Sequence, residues 1–268
     1  MGALAIVTYR FAFYSVIIGG VRALQGHRLT WDAFRQSILG GILLAADVAL
    51  FFTAVKWTSV VNATIVGSLQ PLLLTVYGVR FLGERVQRRD VFLGLVALLG
   101  VFVIVLSGSN SGEQNIWGDL AAVGALLCWS SYFVVAKRVN AVVSPTDFTI
   151  SAAIIVAVTN APFALLFGQS LAWPSLENFL WILGMALGAG ILGHNLMNWA
   201  IVRIPLWLGS TFTLFVPVVS SALAWAFLDE ALNAWQIIGM TVTVLALAAL
   251  VWFQQTQSDP VEAEGSPA

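Results

Sequence analysis

The stretch Pro71-Leu-Leu-Leu-Thr-Val-Tyr-Gly-Val-Arg-Phe-Leu-Gly-Glu84 has a counterpart 146 residues further on, Pro217-Val-Val-Ser-Ser-Ala-Leu-Ala-Trp-Ala-Phe-Leu-Asp-Glu230. Each places a proline thirteen positions before a glutamate, with apolar sequence between. The same register sets Leu82 beside Leu228 and Ala54 beside Ala200 without a gap. Taken singly, a proline in an apolar helix is a tolerated kink and a glutamate is a helix-end residue. Taken together, the two stretches point to common ancestry of two halves of one chain.

Composition sets the solvent. The 268 residues are 59% hydrophobic and 9% charged, with a mean hydropathy of +0.91. A water-exposed surface needs far more charge than that, so lipid is the simplest surrounding. A net charge of −1 offers no basic field for nucleic acid. The single cysteine, Cys128, rules out an internal disulfide. Met1 to Gly20 has no basic lead-in and no small-residue cleavage site, so it reads as a spanning helix and not as a signal peptide. The polar, acidic end from Gln254 to Ala268 reads as a disordered cytoplasmic tail.

A spanning helix needs about 17–25 mainly apolar residues. Nine runs qualify: Leu4–Gly20, Leu39–Val55, Val60–Val79, Val91–Gly108, Ile116–Ala136, Phe148–Phe167, Phe179–Val202, Leu206–Leu228 and Trp235–Phe253. None alternates as a barrel strand does, so the expected fold is an all-α transmembrane bundle. If the runs alternate in direction, ten of the twelve Lys and Arg residues fall on one side, which is then cytoplasmic. The loops Ser109–Asn115 and Gly168–Asn178 carry none and face out. The N-terminus is then outside and the C-terminus cytoplasmic. The basic Glu84 loop lies inside and the Asp229–Glu230 loop outside, so the halves read as inverted. Inverted repeats around a central site are a transporter architecture.

The ordered set of motifs resembles the EamA family of the drug/metabolite transporter superfamily. It comprises the two proline–glutamate stretches, Y-R-F at Tyr9–Phe11, G-L-V-A-L-L-G-V at Gly94–Val101 and W-S-S-Y-F-V-V-A-K-R at Trp129–Arg138. The resemblance implies two five-helix repeats, ten spans and both termini in the cytoplasm. Here Y-R-F matches the family's second helix. The element at Trp117–Arg138 matches an opening helix that the first half lacks. The expected organisation is therefore a first repeat over 1–108 without its first helix, a second over 116–253, and the tail over 254–268. A start codon placed too far downstream is the expected cause.

Ionisable groups inside spans are costly and are functional candidates. Arg10 and Asp47 lie deep in the first and second runs. They read either as a structural pair or as a substrate clamp, with Arg10 for a carboxylate and Asp47 for an amine or a proton. In the seventh run His194, Asn195 and Asn198 cluster, with His194 and Asn198 on one face. They read as a site or as interhelical glue. The offset pairs Asp47 with Gly193, so the two polar clusters occupy equivalent places. Trp129 and Tyr132 can line a cavity, while Lys137 is expected to reach for the interface. Gln70, Asn62 and Thr64 are further cavity candidates. Gly184 and Gly188 read as a close-packing pair, Asn160 with Pro162 as a kink, and Asn233 with Gln236 as a helix cap.

No G-x-S-x-G, H-E-x-x-H or Walker A sequence occurs, and two histidines cannot build a His-rich metal site. The expected function is a secondary transporter of the inner membrane that exports small organic metabolites by alternating access, with no cofactor and no enzymatic activity. Its expected partners are a small-molecule substrate, the lipid bilayer, a coupling proton and a second copy of the chain. A non-transporting sensor or structural protein, or an intramembrane enzyme using Asp47 and His194, are the alternatives.

Overall fold

The computed structural model describes residues 1–58, 60–107, 115–228 and 231–258. Among these residues every regular element is helical. Nine helices among them are long and apolar enough to cross a membrane: Ala3–Leu24, Trp31–Trp57, Asn62–Leu82, Arg88–Ser107, Ile116–Val139, Pro145–Leu166, Leu176–Ala200, Leu206–Phe227 and Ala234–Gln254. They are called the first to ninth spans below. Residues 108–114, which include all of the Ser109–Asn115 loop but Asn115, together with Asp229–Glu230 and residues 259–268, lie outside the described residues.

Span ends follow caps and not the onset of apolar sequence. The second span begins at Trp31, eight residues before the expected Leu39, because the Thr30 side chain accepts from the Ala33 N–H at 3.2 Å. The last helix runs on to Ser258, so the tail expected from Gln254 is helical for its first turn. Glutamine is a good helix former. Asn233 and Gln236 make the expected reciprocal cap, each side chain accepting the other's backbone N–H at 2.9 Å.

The two prolines interrupt their helices. The third span is split into Val60–Ser68 and Gln70–Leu82, with Pro71 in the first turn of the second piece. The eighth runs from Leu206 to Thr211, tightens to a 3₁₀ turn over Phe212–Leu214, and resumes at Phe215, just before Pro217. Proline has no N–H and its ring crowds the carbonyl four residues back. Those carbonyls belong to Gly67 and Thr213, where the helices break. The breaks touch: the Thr213 hydroxyl lies 3.3 Å from Gln70 Oε1 and 2.6 Å from the Ser210 carbonyl. The seventh span widens to π-helix over Gly188–Asn195.

The second span packs on the fifth and sixth, the first on the sixth and seventh, and the fourth on the ninth. The last pair is held by backbone proximity. A Cβ at Gly100 would sit 2.7 Å from the Gly239 carbonyl oxygen, and one at Gly239 would sit 2.6 Å from the Gly100 oxygen. Gly184 and Gly188 have open space where a side chain would go, so they are not the close-packing pair expected. Asn160 is buried and donates to the Val156 carbonyl at 3.1 Å, within a helix continuous through Pro162.

Gly100→Val or Gly239→Val should force the fourth and ninth spans apart and cost at least about 1–3 kcal/mol, the usual penalty of overpacking. Gly184→Ala should cost nothing, since its Cβ meets no atom. Melting midpoints of the purified protein in detergent compare the three directly.

Candidate functional site

A cavity of about 550 Å³ lies between the first, fifth, seventh and eighth spans. Arg10, Trp129, Tyr132, His194, Asn198 and Thr213 supply its polar and aromatic wall, and aliphatic side chains supply most of the rest. Its size falls in the range of small-molecule sites.

Arg10 reaches it from the first span. Its Nη2 stands 3.2 Å from His194 Nε2. Arginine can only donate, so Nε2 accepts and the ring proton sits on Nδ1, which makes His194 neutral. The guanidinium also lies 5.1 Å from the Phe11 ring centroid. The π-helical stretch puts His194 edge-on to Trp129, with centroids 6.0 Å apart at 88°. Trp129 stacks parallel on Tyr132 at 5.5 Å and meets Phe133 edge-on at 4.7 Å. Residues three and four apart share a helix face, which is how the fifth span builds this aromatic wall.

Asn198 is 1% exposed. Its Nδ2 donates to the Tyr132 hydroxyl at 2.8 Å and the Thr149 hydroxyl at 3.0 Å. Its backbone carbonyl accepts from Asn140 Nδ2 at 3.3 Å. Its amide protons are thus spent on the wall, and Asn198 holds Tyr132 in place.

Four of the sequence candidates do not reach the cavity. Asp47 is not among the lining residues, and no ion pair joins it to Arg10. The second span packs on the fifth and sixth, with little contact to the first span that carries Arg10. Asn195 also lies off the lining, with its Oδ1 buried and unpaired. Gln70 lies behind the wall on Thr213, and Asn62 donates to Asp119 at 3.2 Å far from the cavity.

Lys137 does not reach for the interface. It lies one helical turn beyond Phe133, where its Nζ bonds Glu84 Oε1 at 2.9 Å and the Ile204 carbonyl at 2.7 Å. Glu84 also accepts the backbone N–H of Leu206 at 2.7 Å and of Trp207 at 3.3 Å. It thereby caps the eighth span, whose N-terminal end favours an anion. Gly83, left-handed at φ 66°, turns the chain so that Glu84 folds back into this position. The glutamate of the first repeated stretch is therefore a structural tie between the third, fifth and eighth spans. Two opposite charges at matching span ends, Glu84 and Lys137, were the available sequence signal for it.

The sequence profile of the EamA-like transporter family matches residues 1–106 and 116–252. The chain belongs to the EamA-like transporter family. Among its relatives, the Bacillus subtilis "Uncharacterized transporter YyaM" is 25% identical over 87% of this chain and 77% of its own length. The "Aromatic amino acid exporter YddG" of Ancylobacter novellus is 30% identical, over 56% of this chain and 52% of its own length. A solved crystal structure with 21% identity superposes with a TM-score of 0.82, covering 94% of this chain and 90% of that one. EamA membership accords with the motifs at Tyr9–Phe11 and Trp129–Arg138, which supply Arg10 and the aromatic wall.

Asn198→Leu should leave the Tyr132 and Thr149 hydroxyls without their donor and cost about 1–3 kcal/mol. Tyr132→Phe removes one hydrogen bond with little change of shape and should cost about 0.5–1.5 kcal/mol. Denaturation midpoints of the two variants should keep that order.

Proposed function

We propose that the protein exports small organic metabolites across a bacterial inner membrane by alternating access around this cavity. The observation that carries the reading is the cavity itself. It combines a half-buried cation, an aromatic wall and a broken helix inside a bundle of membrane-length spans. Relatives that carry the name exporter support the direction.

Breaks beside Pro71 and Pro217 favour two halves, 1–108 and 116–253, related by inversion. Interrupted helices at equivalent places are how such transporters build their sites. The excess of Lys and Arg in alternate loops favours a cytoplasmic C-terminus. Asp47, a carboxylate in a spanning helix with no ion pair, is the group placed to carry a coupling proton. The enzyme alternative loses its supposed pair, since His194 lines the cavity and Asp47 does not.

Alternating access needs a closure that can part. The tie of Glu84 to Lys137, Leu206 and Trp207, with Lys137 also donating to the Ile204 carbonyl, seals the end of the bundle beyond Phe133 and Ile204. Lost alone, one partner of this half-buried ion pair leaves the other uncompensated, at a cost that partial exposure to water reduces. Parted into water, both groups are rehydrated together, which makes such a closure reversible.

Purified protein in liposomes, loaded with a panel of small organic acids, amino acids and amines, should show saturable efflux of at least one of them. Folded protein that moves none contradicts the reading. Glu84→Gln should slow that flux about tenfold or more, and Lys137→Met less, because the Leu206 and Trp207 N–H groups still hold Glu84 after the lysine is gone. The reverse order of damage contradicts the proposed closure.

A further inference from the structure

The unusual feature of the cavity is a cation without a counter-ion. Among the residues that line it, Arg10 is the only charged one. Among the described residues no carboxylate lies within ion-pair distance of Arg10. Its contacts are His194, which takes one of its five N–H donors, and the face of Phe11. An arginine kept this way inside a spanning helix is costly, and that cost falls when an anion arrives. The guanidinium fork suits a carboxylate, which it can hold by two parallel hydrogen bonds.

The rest of the space sets the body of the ligand. Trp129 is backed by Tyr132, the two rings stacked with their planes parallel within 4°, and Phe212 is also on the lining. The two hydroxyls beside them are already engaged: Tyr132 with Asn198, and Thr213 with Ser210 and Gln70. A flat apolar body meets shape and area there and leaves those hydroxyls bonded as they are. An ammonium group would meet the like charge of Arg10 and no carboxylate on the wall.

We infer that the cavity selects organic monocarboxylate anions with a planar apolar body over the corresponding zwitterions and amines, with Arg10 holding the carboxylate. The carboxylate docks on the guanidinium face not used by His194. The ring lies against Trp129 and Tyr132. His194, held neutral, fixes the guanidinium without competing for the anion. The inference deepens the export reading and rests on it for transport, though not for binding.

Three probes of one shape separate the charge classes: 3-phenylpropanoate, phenylalanine and 2-phenylethylamine. Each is measured for binding to the full chain in lipid nanodiscs and for efflux from proteoliposomes. The expected result is binding and saturable efflux of 3-phenylpropanoate, with at least about tenfold weaker binding of the other two, the least that one charge-assisted contact should give. Arg10→Gln should lose that preference about tenfold or more, and Arg10→Lys should recover part of it as a point charge. Size-exclusion profiles report whether each variant is folded, and Arg10→Lys carries the test if Arg10→Gln is not. Equal or tighter binding of phenylalanine or phenylethylamine overturns the inference while efflux of either keeps the export reading. So does binding of 3-phenylpropanoate unchanged in folded Arg10→Gln. Phenylalanine binding that vanishes in Asp47→Asn would place the ammonium at Asp47 and also overturn it. Binding of 3-phenylpropanoate without efflux of any probe upholds the inference and counts against export. No binding by any of the three overturns the inference.

Discussion

A proline in a helix cannot donate to the carbonyl four residues behind it, and in lipid that carbonyl finds no water. At Pro71 and Pro217 the chain accepts this cost with a break in the helix, in spans that meet inside the bundle. Much of the rest follows. The broken segments bring Gln70 and Thr213 together, and Thr213 opens onto the cavity. The short Leu206–Thr211 piece presents free N–H groups at its start, and Glu84 fills them. Irregular backbone at membrane depth is tolerated where it is buried in protein or lines a cavity, and here it does both.

The cavity and the tie beyond it divide the polar residues into three kinds. Asn198, Tyr132 and Thr149 satisfy one another and hold the wall rigid. Glu84 and Lys137 satisfy each other and the eighth span's start. Arg10 stands apart, because its one protein partner is a neutral ring. Groups of the first two kinds give a site its shape; a charge of the third kind gives it something to bind.

The fold was legible because lipid leaves few choices. The nine apolar runs became the nine spans, since a helix alone satisfies its own backbone there. Span ends were less legible: Thr30 started the second span a full two turns early by a side-chain cap that apolar counting ignores. Arg10, Trp129, Tyr132, His194 and Asn198 could be picked out as polar or aromatic residues inside spans, and the structure brings them to one cavity. Asp47 could not be placed, because which way a spanning helix is turned depends on its neighbours, and the second span packs on the fifth and sixth. Lys137 was misjudged for the same reason: a lysine near a span end snorkels unless a carboxylate is at hand, and Glu84 is 53 residues away in sequence. Gly184 and Gly188 show the converse, a packing motif with nothing packed on it.

The central claim is that the halves part at the Glu84 tie while the cavity serves as the common site. Arg85 and Arg203 are exposed and flank that tie on the third-span and eighth-span sides. Spin labels on cysteines at these two positions, in a Cys128→Ala background, allow the distance between them to be measured by pulsed electron resonance in nanodiscs. The account predicts one narrow distance for the otherwise unchanged protein, and a second, longer population once Glu84→Gln removes the tie. A distribution that stays single and narrow in folded Glu84→Gln would contradict it.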